Sequence, residues 1–88
     1  MSRELTADEQ EFVATLAGAL PPVIARKDVP RFLGGMVASK TLANADESGG
    51  GPTVAYKVGR SIVYRTDSLL EWIVLRLGVR RKRDVTAF

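Results

Sequence analysis

A break at Ser48-Gly49-Gly50-Gly51-Pro52 divides the chain into two parts with different periodicity. Glycine is entropically costly in a helix and proline lacks the amide donor, so a helix does not continue through it. Apolar residues recur at helical spacing before the break and alternate as in strands directly after it, over residues 54–65, before a further helical segment begins. The break follows a helical segment and contains no Gly-Lys-Ser/Thr, so we interpret it as a flexible connector and not as a phosphate loop.

Two short helices joined by a glycine-containing turn are predicted before the break. The first covers residues 26–33 and ends at Gly34-Gly35. Three apolar residues share one of its faces: Val29, Phe32 and Leu33. Ser39 is the predicted N-cap of the second helix, over 40–46, because its hydroxyl can accept amides of the next turn. This is the outline of a helix-turn-helix, whose second helix has the size that enters a DNA major groove.

A basic hairpin is predicted after the break. Residues 54–58 and 61–65 are two β-branched and aromatic runs joined by the turn Gly59-Arg60. Three cations lie near its tip or on its exposed face: Lys57, Arg60 and Arg65. A basic hairpin that follows a helix-turn-helix is a wing.

A third helix should follow the hairpin, with Thr66 or Asp67 as its cap and Gly78 at its C-terminal end. Its apolar stripe comprises Leu69, Leu70, Trp72, Ile73 and Leu77. The aromatic side chains of this half of the chain could stack on bases. Their positions favour the core instead: Tyr56, Tyr64 and Trp72.

Residues 24 to 73, over half of the chain, resemble excisionase-like and AlpA-like DNA-binding proteins, a small winged-helix branch related to MerR-type regulators. The resemblance lies in the order and spacing of segments that are individually weak signals. These segments are Arg26-Lys27-Asp28-Val29-Pro30, Leu33-Gly34-Gly35, Ser39-Lys40-Thr41-Leu42-Ala43-Asn44, Gly49-x-Gly51-Pro52, Tyr56-Lys57-Val58-Gly59-Arg60 and Val63-Tyr64-Arg65-x-Asp67-Ser68-Leu69-x-x-Trp72.

The resemblance implies that a recognition helix and a wing meet DNA. Residues on or leading into the recognition helix would be Ser39, Lys40, Thr41 and Asn44. Asn44 can bond adenine in bidentate fashion, or it can help to end the helix. Wing contacts would come from Lys57, Arg60 and Arg65. Arg26 and Lys27, at the start of the first helix, are also predicted to contact DNA.

The chain departs from the family pattern at the end of the recognition helix. Many members have an aromatic residue near Ala45 and a basic residue near Asp46, whereas here Asp46 and Glu47 are both acidic. Two carboxylates at this place would repel phosphate, unless they lie outside the groove. The N-terminal end of such a helix usually reaches the bases, which is compatible with the second arrangement.

The charge of the chain is unevenly distributed. Residues 1–22 carry a net charge of −3, and residues 23–88 carry +6. The basic part ends in four consecutive cations, Arg80-Arg81-Lys82-Arg83. Clustered cations favour nucleic acid through phosphate neutralisation and counterion release, although a charge run can also be simply solvated.

An amphipathic helix is predicted at the N-terminus. Thr6 and Glu9 have the spacing of a capping box, and Pro21-Pro22 ends the helix. Its apolar stripe comprises Phe12, Val13, Leu16, Ala17 and Leu20. Either the domain's own core or a second copy in a dimer would cover this stripe. Asp8, Glu9 and Glu11 form a solvated acidic start that is poorly suited to DNA.

Several function classes are disfavoured by composition. The chain has no cysteine and no histidine, which excludes disulfides, the usual zinc sites and the common nucleophile–base pairs. We therefore expect neither an enzyme nor a bound cofactor or metal. No apolar run approaches the length of a membrane span and no signal peptide is visible, so we expect a cytoplasmic protein.

The predicted fold class is mainly α with a small β-hairpin, a winged helix-turn-helix with an extra N-terminal helix. We expect an N-terminal element at 1–22, a DNA-binding domain at 23–78 and a basic tail at 79–88. The expected function is sequence-specific binding of double-stranded DNA, as an excisionase-type factor or a small transcriptional regulator of a mobile element. A recombinase or integrase, or further copies side by side, are expected partners. The alternative is a protein-interaction module that keeps the fold without specific DNA binding.

Overall fold

The computed structural model describes residues 4–82. The elements, in chain order, are helix α1 (Ala7–Ala17), strand β1 (Val23–Ala25), a 3-10 turn (Arg26–Asp28), helices α2 (Val29–Phe32) and α3 (Ser39–Glu47), strands β2 (Ala55–Val58) and β3 (Ser61–Arg65), and helix α4 (Thr66–Leu77). Over the described range, four helices and a three-stranded antiparallel sheet form one small α/β domain.

The sheet has the order β1-β3-β2, with β3 in the centre. The hairpin of β2 and β3 was predicted, and it pairs Tyr56 with Val63 and Val58 with Ser61. Strand β1 was not predicted, and it pairs Ile24 with Tyr64 on the opposite edge of β3. A three-residue strand is too short to show alternation, so the predicted two-stranded sheet is corrected to three strands.

The predicted helix over 26–33 is divided in two. A 3-10 turn precedes α2, which is a single turn of four residues, and Gly34 and Gly35 adopt positive φ values of 61° and 81° after it. Such values suit glycine because it has no Cβ, so the predicted stop is confirmed. The predicted N-cap at Ser39 is wrong, since Ala38 occupies that position. The Ser39 hydroxyl instead donates to the carbonyl oxygen of Arg26 at 3.0 Å.

The start of α4 also differs from its prediction. Arg65 occupies the N-cap position without a side-chain cap, so neither Thr66 nor Asp67 is the cap. The Thr66 hydroxyl donates to the carbonyl oxygen of Pro21, and its amide donates to the carbonyl oxygen of Pro22 at 2.9 Å. These bonds join the start of α4 to the chain just before β1. Gly78, with φ of 75°, ends the helix as predicted.

One apolar core joins the sheet to helices α2, α3 and α4. Its buried residues are Ile24, Val29, Leu33, Val37, Leu42, Tyr64, Leu69, Leu70 and Ile73. Tyr64 is fully buried, as predicted, and Trp72 packs against the core from a partly buried position. The prediction of Tyr56 as a core residue is wrong, since it is 48% exposed. Phe32 and Leu77, which belong to the predicted apolar faces of their helices, are 38% and 56% exposed. The burial of a side chain depends on where its short helix or strand packs in the domain, and local periodicity does not predict that packing.

Helix α1 packs against α4. The capping box of Thr6 and Glu9 is confirmed, but the helix ends at Ala17, before the two prolines. Val13, Leu16 and Leu20 pack on the core, so the domain itself covers much of the predicted stripe. Among the described residues, no helix has the length and apolar character needed to cross a membrane.

Candidate nucleic-acid interface

Helix α3 has one buried and one exposed face. Leu42 and Ala45 point into the domain, while Lys40 and Asn44 are exposed and Thr41 is partly buried. Residues four apart share a face of a helix, so Lys40 and Asn44 lie beside each other on the outer side. The sequence-predicted contacts of this helix, except the partly buried Ser39 and Thr41, are thus available to a ligand.

Asp46 lies at the centre of a hydrogen-bonded network that the sequence did not predict. Its Oδ2 accepts from Arg26 Nη2 at 2.6 Å and from the Tyr64 hydroxyl at 2.5 Å. Arg26 Nε donates to the Tyr64 oxygen at 2.9 Å. The Arg26 and Asp46 side chains are about a quarter exposed. We call these three residues the Arg26–Asp46–Tyr64 network; it joins the 3-10 turn, the last turn of α3 and the central strand.

The network raises the pKa of two of its members, Tyr64 and Arg26. Burial, together with the hydrogen bond to Asp46, raises the pKa of Tyr64 to about 12, so its hydroxyl stays neutral at physiological pH. The hydrogen bond to Tyr64 raises the pKa of Arg26, which therefore keeps its charge. A charged guanidinium directly faces the Asp46 carboxylate and compensates it. Of the two acidic residues that were expected to repel phosphate, only Glu47 is exposed.

The glycine run after α3 packs closely against this network. A Cβ on Gly51 would lie 1.8 Å from Asp46 Oδ1, so only glycine fits beside the carboxylate. The Gly50 amide donates to the Ala45 carbonyl oxygen at 2.8 Å, and the Trp72 indole donates to the Gly50 carbonyl oxygen at 2.6 Å. The interpretation of this run as a flexible connector is therefore wrong. Its backbone is held by α3 on one side and by α4 on the other.

The hairpin presents its cations to solvent. Lys57 and Arg60 are exposed, and Gly59 supplies the positive φ of 61° that the turn requires. Arg65 is also exposed, but its Nε lies 3.0 Å from the carboxylate of Asp67. An exposed ion pair of this kind is weak, so Arg65 can exchange that partner for a phosphate at small cost. Lys27 is exposed in the 3-10 turn, whereas Arg26 is engaged in the network.

The start of the basic tail lies against the N-terminal end of α1. The Val79 amide donates to Glu9 Oε2 at 3.3 Å, and the Arg81 amide donates to Asp8 Oδ2 at 3.1 Å. The Arg81 guanidinium also lies 4.0 Å from Glu11. The side chains of Arg80, Arg81 and Lys82 are exposed, and Arg83 lies outside the described residues. The acidic start of α1, interpreted from sequence as merely solvated, thus contacts the tail.

Within residues 4–82, no group of three or more acidic residues is arranged to hold a metal ion. The exposed cations among the predicted contact residues lie on α3, the 3-10 turn, the hairpin and the tail, and Arg31 on α2 and Arg76 on α4 are exposed as well. Comparison with protein-family models, with curated proteins and with solved structures found no match in any of the three.

Proposed function

We propose that the chain is a DNA-binding protein that acts without catalysis, as a winged helix-turn-helix. In this proposal α2 and α3 are the helix-turn-helix, α3 enters the major groove, and the hairpin of β2 and β3 is the wing. The wing lies along the backbone or the minor groove, and the basic tail meets flanking phosphates. The outward position of Lys40 and Asn44 on α3 supports this assignment.

The inward position of Asp46 is the observation that carries the proposal. A free carboxylate in the last turn of α3 would oppose binding to a polyanion. Asp46 instead forms an ion pair with Arg26 and accepts a hydrogen bond from the Tyr64 hydroxyl. Glu47 remains exposed, but it lies about 10 Å along the helix axis from Lys40, because each residue advances a helix by ~1.5 Å. The N-terminal half of α3 is thus left without an acidic neighbour on that helix.

The resemblance to excisionase-like and MerR-related proteins supports the role of the domain and not its target. Either an excision factor or a small transcriptional regulator of a mobile element fits a domain of this size. In the first role, bent DNA and side-by-side contacts between copies would help a recombinase to assemble. An integrase gene next to this one would favour excision, and a solitary gene close to a promoter would favour regulation.

Fluorescence anisotropy on duplex DNA across a series of salt concentrations tests the proposal. If about five side chains neutralise phosphates, the logarithm of affinity should fall with the logarithm of salt with a slope of about −4.5. Lys40→Ala and Asn44→Ala should weaken specific binding and leave the thermal midpoint nearly unchanged, since both side chains are exposed. Absence of binding at low salt, or a slope near zero, would remove DNA as the partner.

A protein-interaction module is the second candidate function, and the outer face of the sheet favours it. Side chains alternate across a strand, so the register places Val23, Tyr56 and Val58 on the face opposite Tyr64. Their exposed fractions are 44%, 48% and 60%. Several exposed apolar side chains on one face of a sheet suit a binding surface. The same anisotropy series separates the two functions, because this candidate predicts no salt-dependent affinity for duplex DNA.

A further inference from the structure

We propose that the N-terminal end of α1 is a clamp that fixes the path of the basic tail. The clamp consists of the Asp8 and Glu9 carboxylates, which accept the backbone amides of Arg81 and Val79. Because the clamp holds the backbone after Gly78 in one position, a polyanion such as duplex DNA can contact the cations of the tail at the same time. This inference rests on the proposed function, and it assigns a role to the acidic first turn of α1 in a chain of net positive charge.

Glu9 is the central residue of the clamp. It is one of the largest fully buried side chains of the domain, with 2% of its surface exposed. One carboxylate oxygen accepts the Thr6 amide at 3.0 Å in the capping box, and the other accepts the Val79 amide at 3.3 Å. A buried carboxylate needs hydrogen-bond donors around it, and the tail backbone supplies one of them. The tail is therefore part of the environment that makes burial of Glu9 tolerable.

The clamp holds the backbone of the tail and leaves its cationic groups available. The carboxylates of Asp8 and Glu9 accept main-chain amides, while the side chains of Arg80, Arg81 and Lys82 stay exposed. The contact between Arg81 and Glu11 is long, at 4.0 Å, and both side chains are more than half exposed. An ion pair of this type contributes little and is screened by salt. The acidic residues therefore position the tail more than they neutralise it.

Ordering the tail before binding should strengthen binding, because less conformational entropy is lost when the cations meet phosphate. Glu9→Ala should release Val79 and lower the affinity for duplex DNA by about tenfold. A change of this size corresponds to the conformational entropy lost when about one or two residues become ordered. Simple electrostatics predicts the opposite sign, since the variant loses a negative charge and should bind a polyanion more tightly. The direction of the change in affinity therefore shows whether Glu9 positions the tail for DNA or opposes DNA through its negative charge.

Thr6→Ala is the matched control variant. It removes the hydrogen bond from the Glu9 amide to the Thr6 hydroxyl, at 3.2 Å, and so weakens the same end of α1. It leaves the Glu9 carboxylate and its bond to Val79 in place. Glu9→Ala in a chain that ends at residue 79 is the second control, because without the cations the clamp has nothing to present. Thr6→Ala should bind duplex DNA like the parent, and Glu9→Ala in the shortened chain should bind like the shortened chain that keeps Glu9.

Amide hydrogen exchange in the free protein and anisotropy with duplex DNA should be measured on the same variants. We expect the Val79 amide to be protected in the parent and in Thr6→Ala, and to exchange freely in Glu9→Ala. Fast exchange of Val79 in the parent, or equal protection in Glu9→Ala, would overturn the clamp. Tighter or unchanged DNA binding by Glu9→Ala would overturn its positioning role. A parent that fails to bind any duplex refutes the proposed function, while the exchange data still decide whether the clamp exists.

Discussion

The Tyr64 hydroxyl donates a hydrogen bond of 2.5 Å to Asp46, from the centre of the sheet to the last turn of α3. Tyr64 is fully buried, and Asp46 lies where the core meets the surface. The same carboxylate oxygen binds Arg26, which precedes α2. The Asp46 carboxylate thus connects the proposed helix-turn-helix to the central strand of the sheet that forms the proposed wing. Removing this carboxylate should change the position of α3 relative to the sheet.

Gly51→Ala should destabilise the domain, because the new Cβ would lie 1.8 Å from Asp46 Oδ1. We expect a loss of about 1–3 kcal/mol in the free energy of unfolding, as for other overpacked sites. The loss should shrink when Asp46→Ala is already present, because the clashing carboxylate is gone. Urea denaturation of the two single variants and the double variant measures this coupling. Gly50→Ala is the control, since a Cβ there meets no atom within 4 Å. Equal losses at both glycines would contradict the close approach of Asp46.

Stability should fall at strongly alkaline pH because of Tyr64. Its pKa rises from the ordinary 10.0 to about 12 in the folded protein, chiefly through burial. Folding therefore favours the neutral hydroxyl, and this contribution is complete below pH 10 and is lost as the pH rises from 10 through 12. Urea midpoints from pH 8 to 12 should decline more steeply in the parent than in Tyr64→Phe, which has no hydroxyl to ionise at this site. Parallel declines would show that Tyr64 does not carry the effect.

Trp72 should stabilise the domain through packing and through one hydrogen bond. Trp72→Ala removes its contacts with the core and its bond to Gly50, and we expect a loss of about 3 kcal/mol. Trp72→Phe keeps an aromatic ring but has no N–H donor, so it should lose about 1 kcal/mol or more. Thermal and urea denaturation give both values. If Trp72→Ala unfolds like the parent and loses only DNA affinity, the side chain is a contact residue and not a structural one.

The tail and the hairpin should contribute differently to DNA binding. Deleting residues 80–88 should weaken binding to all duplexes by a similar factor, because phosphate contacts carry no base pattern. Arg60→Ala should lower affinity and also shift the preferred sequence slightly, since a wing arginine can sense the width of the minor groove. Selection from random duplexes with the three proteins tests both expectations. A changed motif after tail deletion, with affinity and motif unchanged in Arg60→Ala, would exclude the hairpin from the interface.

Local signals in the sequence predicted most elements of this fold. The capping box at Thr6, the stop at Gly34-Gly35, the hairpin and the end of α4 at Gly78 each depend on residues close together in the chain. Two of the three predicted N-caps are wrong, the one at Ser39 and the one at Thr66 or Asp67. The hydroxyls of Ser39 and Thr66 bond carbonyl oxygens of distant segments, and that tertiary use is absent from any local pattern.

The candidate site was less predictable than the fold because its main contacts are distant in sequence. Arg26 was expected to meet DNA, but it faces Asp46, twenty residues away. Glu9 was recognised through its capping box, yet the partner of its second oxygen is Val79. Exposed cations such as Lys40 and Arg60 need only a solvent-facing position, so sequence places them more readily. Their roles at DNA remain predictions.

The position of β3 between two strands has a consequence for the order of folding. Its pairing with β2 closes a tight turn at Gly59-Arg60, whereas its pairing with β1 joins Ile24 to Tyr64 across about forty residues. Contacts of low sequence separation form early, and distant ones wait for a large loop to close. We expect the hairpin to form first and β1 to join it in the step that limits the folding rate. Tyr64 belongs to both pairings and bonds Asp46 in the last turn of α3. This turn should therefore reach its final place only at that step.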